Sequence, residues 1–265
     1  MSDRKRIMPV AQSLAGCVLL LGALITGSGT AVAQGPSASE SPQKVLSHFL
    51  CRQGRFRPLF DSHPTVQITD RFATTSVTVN PPNLWCNPAK KVRARKVTKI
   101  VDARQHLKFY TVQAPLTSDV TNMLVTNQFG TDQAIQMNMT PIALLVPTRV
   151  PPLGAPRGLD HFQCYNVHQA PTLNNRVRLT DPVGTIRTKV VIQWLLCDPT
   201  VKTHGSLTTT IKHPDVHLAC YVLEKKDNDP LLQKTITQFE PKSVKATVRS
   251  NTANTLCVPS RSVLD

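Results

Sequence analysis

Three things are scarce in this 265-residue chain: aromatic side chains, acidic side chains and long apolar runs. Phe, Trp and Tyr make up 5% of the residues, too few for the serial base stacking by which single-stranded nucleic acid is held, so nucleic acid is a poor partner. Acidic residues number 16 against 31 basic ones, and only Glu40, Glu224 and Glu240 are glutamates. Paired carboxylates for glycoside hydrolysis cannot be nominated from so small a set, and helix formers are short. No G-x-S-x-G, H-E-x-x-H or C-x-x-C occurs, so the chain carries no motif for a hydrolase nucleophile, a zinc protease or a dithiol redox pair. No catalytic residue, metal site or cofactor is nominated.

What is present begins with an export signal. Residues 1–33 carry Arg4, Lys5 and Arg6, an apolar stretch from Val18 to Ile25, and Ala31-Val-Ala33 before Gln34, the order of a cleaved secretory signal peptide. The apolar stretch is too short for a permanent span. Leu14-Ala-Gly-Cys17 offers an alternative, lipid anchoring at Cys17, but the most apolar run follows that cysteine rather than preceding it. The chain is therefore expected to be secreted or periplasmic. Removing Asp3, Arg4, Lys5 and Arg6 with the signal leaves 28 basic and 15 acidic residues, a net charge of +13, which favours anionic partners such as an anionic polymer or an envelope component.

The remainder is built from one block used four times. The openings read L46-S-H-F-L-C51, R104-Q-H-L-K-F109, L159-D-H-F-Q-C164 and D215-V-H-L-A-C220, and the closings L84-W-C86-N-P, L144-L145-V-P, L196-C197-D-P and L256-C257-V-P. The anchors His48, His106, His161 and His217 lie 58, 55 and 56 residues apart. Within each block, V66-Q-I-T-D70, M123-L-V-T-N127 and V177-R-L-T-D181, with K234-T-I-T-Q238 as the fourth version, alternate apolar and polar residues before a turn former, the period of half-buried strands. Asp70 and Asp181 recur at one repeat position, as turn residues do. A Ser/Pro/Gly-rich linker over 34–44 and a Pro/Gly segment at 151–158 bound two halves, 45–150 and 159–265, each holding two blocks. The expectation is all-β: tandem antiparallel β-sandwich or partly open barrel domains, disulfide-stapled.

Six cysteines remain after signal removal, and the defective second block assigns them. Phe109 and Leu145 stand where the other blocks have cysteines, so both members of a pair are lost together. Pairing within blocks follows: Cys51–Cys86, Cys164–Cys197 and Cys220–Cys257, with separations of 35, 33 and 37 residues. Pairing between blocks would instead strand two thiols. The His/Cys spacing of three invites a zinc reading, but residues three apart on a strand face opposite ways. A buried histidine bonded to backbone is the simpler role for the four anchors. Trp85 and Trp194 each precede a closing cysteine and are expected to pack near the bridges.

One segment is strongly charged. Lys90, Lys91, Arg93, Arg95, Lys96, Lys99 and Arg104 are opposed only by Asp102. As a strand, Lys91, Arg93 and Arg95 would share a face able to hold phosphate, sulfate or uronate groups. The motifs H-(F/L)-x-C-Y, V-x-(L/I)-T-D-x-F and L-C-x-P over nearly all of the mature chain resemble those of an uncharacterised family of exported bacterial repeat proteins. The resemblance implies a repeat fold and brings no catalytic residues. The function expected is a non-enzymatic binding or envelope-associated module with a basic surface. The alternative is a secreted hydrolase with its site in the groove between the halves.

Overall fold

A computed structural model describes residues 41–57, 63–224, 231–239 and 244–265, and of Arg57, Leu231 and 244–252 the backbone alone. The expected export signal, Cys17 and the expected linker up to residue 40 lie outside the described residues.

Each block folds into the same three-strand pattern, because its alternating segments supply three runs of period-2 burial. Block one holds β1 (His48–Arg57), β2 (Thr65–Thr69), β3 (Thr74–Arg93) and a short β4 (Lys96–Thr98). Block two holds β5 (His106–Gln113), β6 (Val120–Asn127) and β7 (Gly130–Thr148). Block three holds β8 (His161–Gln169), β9 (Thr172–Thr180), β10 (Thr185–His204) and β11 (Leu207–Thr208). Block four holds β12 (His217–Leu223), β13 (Leu231–Thr235) and β14 (Val244–Leu264). The third strand of each block is long and does two jobs. Its first half forms a hairpin with the short second strand, as in Thr65↔Thr78 and Thr180↔Thr185. Its second half pairs with the opening strand of the same block and with that of the next.

These pairings close on themselves. The sequence β1–β3–β5–β7–β8–β10–β12–β14 is antiparallel at each step, and β14 returns to β1 through Phe49↔Cys257 and Leu50↔Leu256. The result is a ring rather than a clean barrel, because the four hairpins leave it and fold onto its outer surface. Inside the ring lie Phe49, Cys51, Leu84, Cys86, Phe109, Leu145 and their repeat counterparts in one apolar cluster. Outside, Leu50, Tyr165, Leu196, Tyr221 and Leu256 pack beneath the hairpins of blocks two and three, while Tyr110, Leu144 and Val146 lie beneath that of block one. The ring strands are therefore apolar on both faces, which is the price of being an inner layer.

The three disulfides are cross-strand bridges within blocks one, three and four, with S–S distances of 2.05, 2.12 and 2.01 Å. Phe109 and Leu145 occupy the same register as the bridged pairs and fill the fourth position in the ring interior.

The halves anticipated as separate β domains share strands instead. The end of each long strand pairs with the hairpin of the block opposite: Lys91↔Leu179, Lys202↔Ile68, Val263↔Leu124 and the single bridge Arg149↔Ile236. The described residues form one compact unit. Residues at the expected end of the linker are also ordered: α1 (Pro42–Val45) is a short helix with Pro42 buried, and Gln43 donates to the Pro259 carbonyl at 3.2 Å. No helix among the described residues is long and apolar enough to cross a membrane.

Candidate anion-binding face

The histidines and turn residues that recur in every block are consumed by the fold. The turn residue of each hairpin reaches the opening strand of the block opposite: Asp70 accepts from the Tyr165 hydroxyl at 2.5 Å, Asn127 donates to Tyr221 at 2.8 Å, and Thr237 meets Tyr110 at 2.9 Å. Two residues further on, Phe72, Phe129 and Phe239 pack edge-on against the same tyrosines at 5.6, 5.1 and 5.3 Å. Block three departs at both places. Asp181 carries a buried ion pair with Arg52, which replaces the tyrosine, and Val183 replaces the phenylalanine. Asp181 also accepts from Asn87 at 3.1 Å.

The anchor histidines bond chiefly to side chains, and His106 also meets the Ala103 backbone. Gln128 donates to His48 Nε2 at 2.5 Å and Gln238 to His161 Nε2 at 2.8 Å, while His106 and His217 use Nδ1 against Asn87 and Asp198 at 3.0 and 2.7 Å. Asn87 and Asp198 both follow a closing cysteine, so the last two contacts are repeat equivalents. Among the described residues no group of three or more His, Cys, Asp or Glu side chains converges as a metal-ligand set. The buried carboxylates are similarly committed: Asp198 to Arg71 and His217, Asp160 to the Lys212 and His213 backbone amides. Trp85 is fully buried and stacks on His106 at 5.3 Å, and Trp194 stacks on Phe109 at 6.3 Å. Trp85 presents no ring to a sugar, and Trp194 is partly buried against the interior cluster.

Burial leaves His48, His106 and His161 neutral. Loss of hydration lowers His48 to about 3, with Lys91 adding to the effect, and lowers His106 to about 4 and His161 to about 3, the last helped by Lys202. Lys91 itself falls to about 7, from burial first and then from Arg93. For all four groups the unfolded chain binds more protons than the fold, so stability rises with pH. The histidine contribution is present above pH 6.5 and lost as pH falls towards 4. That of Lys91 is gained between about 7 and 10.5. Asp70, raised by burial, works in the opposite sense but is one group against four. The urea midpoint is accordingly expected to climb steadily from pH 4.5 to 8.5, and a flat or falling profile would contradict this account.

The charged segment does not form one strand. β3 ends at Arg93, and Ala94 and Arg95, with φ of 44° and 66°, make a two-residue turn into β4. Positive φ at both central positions is the turn whose twist suits a tight hairpin. Lys91, Arg93 and Arg95 therefore cannot share a strand face, because the chain reverses before Arg95. Lys91 is buried, donates to Gln128 Oε1 and lies 5.0 Å from the Phe129 ring; Arg93 donates to the Gln128 carbonyl at 2.6 Å and lies 5.5 Å from the same ring. Arg104 is paired with Asp102 at 2.7 Å. Lys90, Arg95, Lys96 and Lys99 remain exposed.

Lys90 belongs to a different surface. It sits opposite Thr180 of β9, and Val92 sits opposite Arg178. Across the β9–β10 hairpin, Arg178 faces Arg187 and Arg176 faces Lys189. Directly opposed residues of an antiparallel pair project on one side, so Lys90, Arg176, Arg178, Arg187 and Lys189 occupy one face, opposite to the side on which Val177 and Leu179 are buried. The face borders a shallow depression of about 620 Å³ lined by Val92 and these four hairpin cations. Glu224, 2.9 Å from Lys189, is the one carboxylate in that lining. Like charges directly opposite each other on a sheet are destabilising, and here two such pairs stand in adjacent rows. The hairpin of block one holds Gln67↔Ser76 and Thr65↔Thr78 in the corresponding rows, so the repeat does not require the charges. A readable signal existed in the sequence: Arg176-x-Arg178 and Arg187-x-Lys189 are symmetric about the Asp181-Pro-Val-Gly184 turn.

A family model described as a repeat of unknown function (DUF7450) matches residues 117–258, from block two to the closing motif of block four. No curated protein and no solved structure matches the chain.

Proposed function

Since the chain belongs to that family of repeats of unknown function (DUF7450), which assigns no activity, we propose from its charge geometry that it is an exported, non-enzymatic binding or envelope-associated module for anionic ligands. The observation that carries this reading is the face of Lys90, Arg176, Arg178, Arg187 and Lys189, with two cross-strand pairs of like charge, of which only Arg176/Lys189 has a carboxylate, Glu224, beside it. An arginine guanidinium offers a planar fork that matches carboxylate, sulfate or phosphate oxygens two at a time, and three of the five cations are arginines. A bound anion would relieve the repulsion that the hairpin otherwise sustains. The signal-like N-terminus and the three disulfides support an oxidising, extracytoplasmic setting.

Salt elution tests the reading. On a sulfated-polysaccharide column, the protein is expected to elute well above physiological ionic strength. The double substitution Arg178→Thr and Arg187→Thr should lower the elution salt clearly and reduce the slope of log affinity against log salt by about 2, by analogy with phosphate contacts. The same double variant should be slightly more stable than the parent, by ~0.2–1 kcal/mol per relieved pair. Elution of the parent protein at very low salt, or identical elution of the variant, would sink the proposal.

A further inference from the structure

We propose that the ligand is a linear anionic polysaccharide that passes from this face around the tip of the β3–β4 hairpin into a second basic cleft on the hairpin's other side. The inference rests on the anion-binding reading and adds a ligand class and a path. The β3–β4 ribbon has two faces. Lys90 and Val92 project to the β9–β10 side, where the cationic rows lie. Arg93 and its cross-strand partner Lys96 project to the other, where Arg93 already meets Gln128 and Phe129. On that other side is a cleft of about 680 Å³ whose lining includes Ser41, Lys44, Lys96, Thr98, Gln128 and Arg261. It holds three cations and, among the described residues, no carboxylate. Between the two surfaces stands only the turn, whose Arg95 is exposed. Cations thus recur from Lys189, beside its partner Glu224, across the sheet, at the hairpin tip and in the cleft down to Lys44.

The arrangement favours a flexible chain over a small anion or a flat surface. Strand rows repeat every ~6.5–7 Å, so Arg176/Lys189, Arg178/Arg187 and Lys90 form a strip with successive charges, which one phosphate or sulfate cannot engage together. A membrane would reach the exposed face but not a cleft on the reverse of the ribbon. No aromatic side chain lines either surface, so base stacking is unavailable. Beside the apolar Pro42 and Val97, the cleft offers hydroxyls and amides from Ser41, Gln43, Thr98, Thr126 and Asn127, which suits a polymer carrying hydroxyl groups between its charges.

Dextran sulfate fractions of graded length, titrated by fluorescence anisotropy, test the path. Lys44→Gln with Lys96→Gln is expected to weaken long fractions about three- to tenfold and to leave unchanged those too short to round the hairpin. Arg178→Thr with Arg187→Thr should weaken both lengths. Arg157→Gln with Lys212→Gln, outside both surfaces, controls for net charge, and unchanged urea midpoints confirm that the variants fold. If the Lys44/Lys96 variant binds long fractions as the parent does, the path is wrong while the face remains. If it weakens short and long fractions alike, the cleft is an independent site and the path again fails. Equal competition by single-stranded oligonucleotide, or length-independent capture by anionic lipid vesicles, overturns the polysaccharide assignment. No binding of any fraction by the parent removes the anion-binding reading itself.

Discussion

Reduction of the three disulfides is expected to unfold the protein at room temperature. Each bridge closes a loop of 33 to 37 residues, and in the chain-entropy picture each removes roughly 3 to 4 kcal/mol of disorder from the unfolded chain. Three together approach about 10 kcal/mol, comparable with the whole stability of ordinary domains, about 5–15 kcal/mol. The sulfurs lie inside the ring, where all six cysteines belong to the interior apolar cluster. Reductant must therefore wait for the ring to open, and loss of thiol protection should follow opening rather than reductant concentration. Trp85, fully buried beside Cys86, reports the event as a red shift in fluorescence. Native fluorescence after mass-verified reduction would refute the expectation. The second block also offers a graded comparison: Cys164→Phe with Cys197→Leu, which copies Phe109 and Leu145, should cost less stability than the double serine variant, because it restores apolar contact in the same register.

The second large effect concerns the hairpin contact in which a buried Arg52–Asp181 ion pair stands where the others have a tyrosine. Arg52→Ala leaves the Asp181 carboxylate buried with Asn87 and the Val183 and Gly184 amides alone. Removing one member of a buried ion pair typically costs ~3–5 kcal/mol. The other three blocks show what a neutral version of the site looks like, a tyrosine with a phenylalanine against its edge. Arg52→Tyr combined with Val183→Phe should therefore recover most of the loss, since replacing a buried pair with well-packed groups of similar size is often close to neutral. Urea unfolding of the parent, the alanine variant and the double variant separates the outcomes. If the double variant is as unstable as Arg52→Ala, the four contacts are not interchangeable and the repeat equivalence drawn between them fails.

Much of this fold could be read from the chain, and the limits have physical causes. Alternation in V66-Q-I-T, M123-L-V-T and V177-R-L-T gave strands because period-2 burial is local. The paired absence of cysteines at Phe109 and Leu145 gave the bridging pattern because a disulfide couples two positions at once. What was not local was not legible. The repeat wording reports that four copies exist, but not that the end of each long strand crosses to the hairpin opposite, so a break at 151–158 suggested two domains where the strands interlace. The site shows the same limit. A run of seven cations drew attention to Lys90–Arg104, but a two-residue turn at Ala94-Arg95 folds that run in half, and three of its members are occupied by Gln128 and Asp102. The cations that meet Lys90 come from block three and are brought to it by the β3–β9 pairing alone.

The seam between β1 and β14 has a consequence for how the molecule is made. Phe49 meets Cys257 across it, so the first strand of the fold waits for nearly the last. A ribosome or an export channel delivering this chain from its beginning releases three blocks before the ring can shut, and each of those blocks holds exposed strand edges until the fourth arrives. Pairing of such remote segments is intrinsically slow, and unpaired edges invite association with other chains. The seam thus makes completion an all-or-none event in time: the protein has no half-built form that is safe to leave alone, and its dependence on helpers during delivery should exceed that of a protein whose domains finish one after another.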